Sequence, residues 1–152
     1  MKAIVQRVKS SSLVIDGEEY SSIDKGFMVL VGVTYGDTEK DAKALAEKIV
    51  KLRIFEDDQG KMNLSLNDVG GELQLVSQFT LYANCKDGNR PAFIDAAKPD
   101  VSIPLYEKFV EYCRELTPNK VVTGVFGADM KIDLINDGPV TIALEVKDGK
   151  VL

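Results

Sequence analysis

The chain has 152 residues and a net charge of −5 at pH 7, from 19 lysines and arginines against 24 aspartates and glutamates. Hydrophobic residues make up 45% and charged residues 28%, which is typical of a globular domain and excludes a disordered chain. The length favours a single domain over residues 1–152. Since no apolar run resembles a signal peptide or approaches the ~20 residues of a membrane helix, we expect a cytoplasmic protein with no membrane partner.

The sequence contains no histidine, which excludes Ser-His-Asp and Cys-His catalysis and any histidine-ligated metal. Cys85 and Cys113 do not have Cys-x-x-Cys spacing, and the glycines match neither a dinucleotide-binding fingerprint nor a P-loop. We therefore expect no metal and no cofactor. The acidic balance argues against a protein that coats a nucleic-acid backbone, so any contact with nucleic acid should be local.

Apolar runs predict strands on both sides of one helix in the first half of the chain. The strands are predicted at 3–8, 12–15, 27–33, 53–55 and 73–81. Helical spacing of apolar residues predicts the helix at 39–52, with Thr38 as its N-cap. The acidic run at 56–58 has carboxylates that hard cations bind, but its spacing fits no EF-hand loop and favours a solvated turn.

The second half contains one long loop, one helix and three strands. Residues 84–101 lack a period and are predicted as a loop, and Ser102 is a candidate N-cap for a helix at 103–116. The strands are predicted at 121–125, 130–135 and 140–146. Residues 136–139 (Asn-Asp-Gly-Pro) are either a plain hairpin turn or a rigid loop that holds a Gly-Pro peptide at a ligand.

The predicted element order is β-β-(βα)2-β-β-β, an α/β fold. Two helices cannot cover both faces of a sheet with this many strands, so a curved mixed sheet, or barrel-like layer, with both helices on one side is expected. The uncovered face needs a partner, and self-association into a homodimer would supply one.

Two features are candidates for chemistry before any family is considered. Ser77, Gln78, Phe79 and Thr80 end a predicted strand, where free backbone N–H groups can form an oxyanion hole, although most such segments are ordinary strands. Arg7 lies inside a predicted strand, where it is either a rim charge or an anchor for a loop or ligand.

Six motifs in fixed order resemble the D-aminoacyl-tRNA deacylase family, the type also called D-tyrosyl-tRNA deacylase. The resemblance runs from Met1 to about Val146, and SQFTL with NDGPVT is its most specific part. The motifs are Gln6-Arg7-Val8, Arg53-Ile54-Phe55, Gly60-Lys61-Met62-Asn63, Ser77-Gln78-Phe79-Thr80-Leu81, Arg90-Pro91 before Phe93, and Asn136-Asp137-Gly138-Pro139-Val140-Thr141.

The resemblance implies an enzyme that hydrolyses the ester between a D-amino acid and the 3′ acceptor end of tRNA. It implies a homodimer in which a cis Gly138–Pro139 peptide reaches into the partner's pocket and rejects L-amino acids. Arg7 would orient that loop, with Gln6 beside it.

The resemblance also implies how the ester is cleaved. Backbone donors near Phe79 and Thr80 would stabilise the oxyanion, and the 2′-OH of the terminal adenosine would assist the attacking water. Thr80 as a nucleophile is an alternative, but no base for it is visible. Ser77 and Gln78 would shape the pocket.

Phe126, Ala128 and Met130 would hold the terminal adenine by the same resemblance. Two rival functions stay open. One is a dimeric module that binds an amino-acid-like ligand without turnover, and the other is an esterase for small acyl esters.

Overall fold

A single long curled sheet organises the computed structural model, which describes residues 1–152. The strands are β1 (Lys2–Ile15), β2 (Glu18–Ile23), β3 (Gly26–Gly32), β4 (Phe55–Glu56), β5 (Met62–Leu64), β6 (Glu72–Ser77), β7 (Val121–Thr123), β8 (Lys131–Lys147) and β9 (Lys150–Val151). The helices are α1 (Glu39–Lys51), α2 (Pro99–Leu116) and a 3₁₀ turn (Phe79–Tyr82). No helix is long and apolar enough to cross a membrane.

The sheet has the order β7-β6-β3-β1-β8-β9, and β2 pairs with the second half of β1. β3 and β7 are parallel to β6, whereas the other pairs are antiparallel. β1 is the spine, since it pairs with β8 along most of its length and with β3 and then β2 on its other side. The α/β class with a curved mixed sheet and two helices is therefore confirmed.

The predicted strands at 3–8 and 12–15 are one continuous strand, β1. The polar stretch between them was expected to interrupt the strand, but Ser11 is buried and its hydroxyl donates to Gln74 Oε1 on β6 at 2.5 Å. A buried serine is tolerated in a strand when its hydroxyl has such a partner. β1 stays continuous because of its long-range pairing with other strands, which the local sequence pattern cannot indicate.

The hairpin interpretation of residues 136–139 is wrong. The predicted strands at 130–135 and 140–146 are two halves of one strand, β8, and both pair antiparallel with β1. Gln6 pairs with Thr141 and Val8 with Asn136, so residues 137–140 stand opposite Arg7 alone. The Gly-Pro segment is therefore a wide bulge in β8 that projects from the sheet.

The helices follow the predicted periodicity, but their ends differ. α1 begins after Thr38, whose backbone N–H donates to the Asp41 carboxylate, as a capping box requires. α2 begins at Pro99, so the prediction of Ser102 as its N-cap is wrong, and the Ser102 hydroxyl donates to the Lys98 carbonyl instead. Pro99 lies in the first turn of α2, where a proline fits because its missing N–H would have no helical partner.

Two shorter predictions also change. The strand predicted at 73–81 ends at Ser77, and the chain continues as the 3₁₀ turn. The strand predicted at 53–55 becomes β4, paired with a strand that the sequence did not reveal, β5.

Both faces of the sheet are packed, but unequally. The larger core joins the helices to one face and contains Phe27, Phe109 and Cys113. A smaller core, including Val8 and Met28, lies on the other face inside the curl. Burial raises the pKa of the Cys113 thiol to about 12, so this cysteine is a structural residue.

Asp41 connects the first helix to the last hairpin. Its carboxylate accepts the N–H groups of Thr38 and Gly149, each at 2.8 Å. Burial alone would raise the pKa of Asp41, but these hydrogen bonds outweigh it and hold the pKa below the usual 3.8.

We expect Asp41→Asn to lower the free energy of unfolding by about 1–3 kcal/mol at pH 7, because an amide can accept only one of the two N–H groups. The stabilisation is present above the unfolded pKa near 3.9 and is lost as the pH falls through the depressed folded value. Urea unfolding at pH 7 and at pH 3 should therefore show a smaller difference between variant and parent in acid. Asp58→Asn, at an exposed side chain, is the matched control and should change little.

Candidate functional site

The end of β6 places a pair of unused backbone donors at the surface. The Gln78 N–H makes the last bond of the strand, to the Val31 carbonyl at 2.7 Å, and the chain then enters the 3₁₀ turn. The turn is closed by bonds from Leu81 and Ala83, whereas the N–H groups of Phe79 and Thr80 have no acceptor. Unpaired N–H groups at the start of a helical turn are available to an anionic oxygen.

Gly32 makes this close turn fit against the sheet. A Cβ at residue 32 would lie 3.0 Å from the Gln78 carbonyl and 3.2 Å from the Tyr82 ring. Any other residue would therefore push the 3₁₀ turn away from β3.

The Thr80 hydroxyl is held by an amide. Gln78 Nε2 donates to Thr80 Oγ1 at 2.6 Å, and no carboxylate or lysine is bonded to this hydroxyl. The Phe79 side chain is half exposed and its ring packs edge-to-face on Phe93, with centroids 5.2 Å apart. Because activation of a threonine requires a neighbouring base, the arrangement favours a pocket wall over a nucleophile.

One cavity of about 280 Å³ unites two groups of predicted residues. We call it the β6 cavity. It is lined by Val76, Ser77, Gln78, Phe79, Phe126, Gly127, Ala128, Asp129, Met130 and Ile132. Three of the predicted catalytic residues and all three predicted adenosine-binding residues are among them, whereas Thr80 does not line the cavity itself.

The β6 cavity is mostly apolar and nearly free of ionisable groups. Asp129 is the only ionisable residue in its lining, and it is paired with Lys131 at 2.8 Å. Met130 is fixed by close packing, since a Cβ on Gly124 would lie 2.4 Å from its sulfur. Proton transfer inside this cavity therefore depends on water or on the bound molecule.

Arg7 anchors the bulge of β8. Its side chain is buried; Nε donates to the Asp137 carbonyl at 2.9 Å and Nη1 to the Ile54 carbonyl at 2.7 Å. The carboxylates of Glu56 and Asp137 lie 3.8 and 3.9 Å from the guanidinium. The interpretation of Arg7 as a rim charge is therefore wrong, and its planar fork fixes two separate carbonyls.

The bulge requires a glycine. Gly138 has φ +128°, and a Cβ there would lie 2.8 Å from the Val140 side chain and 3.2 Å from Arg7 Nη2. The Gly138–Pro139 peptide is cis, and both residues are exposed. Gln6 Nε2 donates to Asn136 Oδ1 at 2.8 Å and supports the other side of the bulge.

The bulge and the β6 cavity do not meet within one chain. None of Gln6, Arg7, Gly138 and Pro139 lines the cavity. The residues predicted for chiral selection therefore form a second group, made of the exposed bulge of β8 and the β1 residues that support it, and this group is separate from the predicted catalytic residues.

The acidic run at 56–58 is a turn, as favoured from the sequence. The Asp57 carboxylate accepts the N–H groups of Gln59 and Lys61 at 2.9 and 3.0 Å. The Lys61 hydrogen bond is the main cause that lowers the pKa of Asp57. These oxygens are used by the turn, and no cluster of three or more acidic or cysteine side chains suited to a metal is present.

Sequence reasoning missed several contributors to the site. Val76, Gly127, Asp129 and Ile132 line the β6 cavity without any local signal, because they come together only through the curl of the sheet. Phe93 was available from its position after Arg90-Pro91, but its packing on Phe79 was not.

Comparison with known proteins gives consistent matches over nearly the whole chain. The family model described as D-Tyr-tRNA(Tyr) deacylase matches residues 4–145. A protein named D-aminoacyl-tRNA deacylase from Cytophaga hutchinsonii is 52% identical over 148 residues, covering 97% of this chain and 99% of its own. A protein of the same name from Thermosipho africanus is 50% identical over 147 residues, covering 97% and 98%.

Two solved structures share the fold. One, titled c-Myc DNA Unwinding Element Binding Protein, has a TM-score of 0.92 and 40% identity, covering 97% of this chain and 99% of its own. The other, described as a probable eukaryotic D-amino acid tRNA deacylase, has a TM-score of 0.80 at 18% identity, covering 93% and 97%.

Proposed function

The chain belongs to the D-Tyr-tRNA(Tyr) deacylase family, and on that premise we propose that it hydrolyses the ester of D-aminoacyl-tRNA to free D-amino acid and tRNA. The observation that supports this most is the β6 cavity, which places unused backbone N–H groups beside an apolar pocket. An ester bound there would meet donors for its oxyanion, and the one titratable side chain in the lining, Asp129, is paired with Lys131.

The bound substrate is expected to span the β6 cavity. The terminal adenine would contact Phe126, Ala128 and Met130, and the ester carbonyl would lie at Phe79 and Thr80. Water attacks the carbonyl carbon, the resulting oxyanion accepts the two N–H groups, and the C–O bond to the ribose breaks. The leaving ribose oxygen takes up a proton, and the acid is released as the free D-amino acid.

Chiral selection requires the bulge of a second copy. We assign it to Gly138–Pro139 of the partner, since this exposed bulge is anchored by Arg7 and yet does not line the β6 cavity of its own chain. Its carbonyls would face the α-amino group and the α-carbon of the substrate. An L side chain would then collide with the bulge, whereas a D side chain would point outward.

We expect the 2′-OH of the terminal adenosine to be needed for fast hydrolysis, because the only carboxylate lining the β6 cavity, that of Asp129, is paired with Lys131. D-tyrosyl-tRNA that ends in 2′-deoxyadenosine should bind with similar affinity but react about 10²-fold more slowly, the lower end of what a positioned proton-transfer group contributes. Single-turnover rates on the two substrates measure this. Equal rates would place the water-activating group on the protein.

The proposed activity is tested against its two rivals by one set of incubations. The purified protein is given D-tyrosyl-tRNA, the ethyl ester of D-tyrosine, and free D-tyrosine. Release of D-tyrosine from the tRNA alone supports the deacylase. Saturable binding of free D-tyrosine without turnover of either ester would favour the binding module, and comparable cleavage of the ethyl ester would favour a general esterase.

A further inference from the structure

A second groove begins on the far side of Phe126. It has a volume of about 290 Å³, and we call it the α2 groove. It is lined by Ile103, Tyr106, Glu107, Val110 and Arg114 of α2, and by Thr123, Gly124 and Phe126. Neither the sequence motifs nor the activity proposed above uses this groove.

Phe126 is a wall common to the α2 groove and the β6 cavity. A narrow gap of about 10 Å³, bordered by Ser77, Phe79, Tyr106 and Phe126, lies between them. Tyr106 is held in place, because its hydroxyl donates to the Leu75 carbonyl at 2.7 Å and its ring lies 6.1 Å from that of Phe126. The two sites are therefore adjacent, and Phe126 is the wall between them.

The α2 groove has an apolar floor with one cation and one anion along its edge. Ile103, Val110 and the two aromatic rings form the floor, which suits the flat face of a base. Arg114 has no carboxylate partner, and its guanidinium makes only one long hydrogen bond, of 3.4 Å, to the Val121 carbonyl. In a chain of net charge −5, an unpaired guanidinium beside a pocket is suited to a phosphate.

Glu107 lies two helical turns from Arg114 on the same face of α2, which separates the two charges by about 10 Å along the axis. A phosphate at Arg114 is thus kept away from the Glu107 carboxylate. A carboxylate at the other end of the groove is an acceptor for an exocyclic amine such as cytosine N4. The charge pattern therefore matches a cytidine better than a uridine.

We propose that the α2 groove binds the nucleotide that precedes the terminal adenosine, a cytidine in the acceptor end of tRNA. The phosphate that joins the 3′ oxygen of the cytidine to the 5′ oxygen of the adenosine would lie at Arg114. The cytosine base would lie on the groove floor, with its amine at Glu107. This inference rests on the proposed function, because it requires the adenosine to occupy the β6 cavity.

Short ester substrates distinguish binding in the β6 cavity alone from binding in both the β6 cavity and the α2 groove. The substrates are the 3′-D-tyrosyl esters of adenosine, of cytidylyl-adenosine and of uridylyl-adenosine, and the measurement is kcat/KM for each. We expect the cytidylyl-adenosine ester to be preferred over the adenosine ester by about tenfold and over the uridylyl-adenosine ester by a smaller factor. Its log kcat/KM should fall with log salt concentration with a slope near −0.7, from the single phosphate contact.

Arg114→Gln should lower kcat/KM for the cytidylyl-adenosine ester by about fivefold to tenfold and remove its salt dependence, while the adenosine ester is unaffected. Lys108→Gln is the matched control, since Lys108 is on the same helix but is paired with Glu111 at 3.2 Å and does not line the groove. It should change none of these values.

The outcomes distinguish the subsite from the activity. If the parent hydrolyses the adenosine and cytidylyl-adenosine esters equally well, or if Arg114→Gln slows both by the same factor, the subsite is wrong and the deacylase stands. Equal kcat/KM values for the cytidylyl-adenosine and uridylyl-adenosine esters would show that Glu107 does not recognise the base. Failure to hydrolyse any of the esters or D-tyrosyl-tRNA would overturn the deacylase and, with it, the subsite.

Discussion

Arg7→Lys is expected to reduce the preference for D-tyrosyl-tRNA over L-tyrosyl-tRNA by about tenfold or more. A lysine keeps the charge but cannot donate to the Asp137 and Ile54 carbonyls together, so the bulge that carries Gly138–Pro139 loses its anchor. Leaving one buried carbonyl without a donor should also lower the free energy of unfolding by about 1–3 kcal/mol. The measurements are kcat/KM for the two substrates and urea unfolding.

Arg53→Lys provides the matched control for Arg7→Lys. Arg53 also donates to a backbone carbonyl, that of Asn63 at 2.8 Å, but it is exposed and makes no hydrogen bond to the bulge. It should leave the preference for D-tyrosyl-tRNA intact. A folded Arg7→Lys protein with unchanged selectivity would contradict the assignment of chiral rejection to the anchored bulge.

Removing the Thr80 N–H is expected to lower kcat by about 10²–10³-fold, whereas removing the Thr80 hydroxyl is not. The N–H is one of two unused donors at the start of the 3₁₀ turn, and the loss of one oxyanion donor has that effect in other enzymes. The backbone change is made by incorporating the α-hydroxy analogue of threonine at position 80, which replaces the amide with an ester. Thr80→Ala keeps the donor and should retain turnover within about fivefold of the parent.

The opposite pattern of activities would favour the Thr80 hydroxyl as the nucleophile. If Thr80→Ala is inactive and the parent accumulates a D-acyl-enzyme, the threonine hydroxyl forms a covalent intermediate. If the backbone ester at position 80 is as active as the parent, the oxyanion is stabilised elsewhere. The side chain of Thr80, with the hydrogen bond that Gln78 donates to Oγ1, is retained in the backbone ester, so the ester separates the N–H from the hydroxyl.

Local signals were sufficient for the existence of both helices, for the cap of α1 and for one two-residue turn. The apolar spacing of α1 and the capping role of Thr38 are properties of neighbouring residues, so the sequence predicted both. Asp16 and Gly17, between β1 and β2, form a turn of the same local kind, and both have positive φ in the structure.

Long-range pairing decided the elements that the sequence mispredicted. β1 crosses a polar stretch because Ser11 finds a partner on β6, and β8 crosses Asn136–Pro139 because both of its halves pair with the same strand. A Gly-Pro pair inside a polar stretch has the local signature of a hairpin, and only the partner strand distinguishes a bulge from it. Ser102 failed as a cap because Pro99 starts α2 a turn earlier.

In the candidate site, too, local motifs predicted the residues, whereas the fold decided which of them lie together. The motifs around Ser77–Thr80 and Gly138–Pro139 located the two groups of residues, and the resemblance supplied their roles. The sequence could not indicate that Phe126, Ala128 and Met130 line the same cavity as Ser77, Gln78 and Phe79, because that proximity arises from the curl of the sheet. Nor could it indicate that Arg7 is buried and fixes the bulge through backbone carbonyls.

Chiral selection is the central claim, and the most direct measurement is the ratio of kcat/KM for D-tyrosyl-tRNA to that for L-tyrosyl-tRNA with the unmodified protein. We expect D-tyrosyl-tRNA to be hydrolysed about a hundredfold faster or more, since an L side chain must be forced against a rigid bulge. L-tyrosyl-tRNA should decay at its spontaneous rate. Hydrolysis of both substrates at similar rates would contradict the account, because an anchored bulge that rejects L side chains could not allow it.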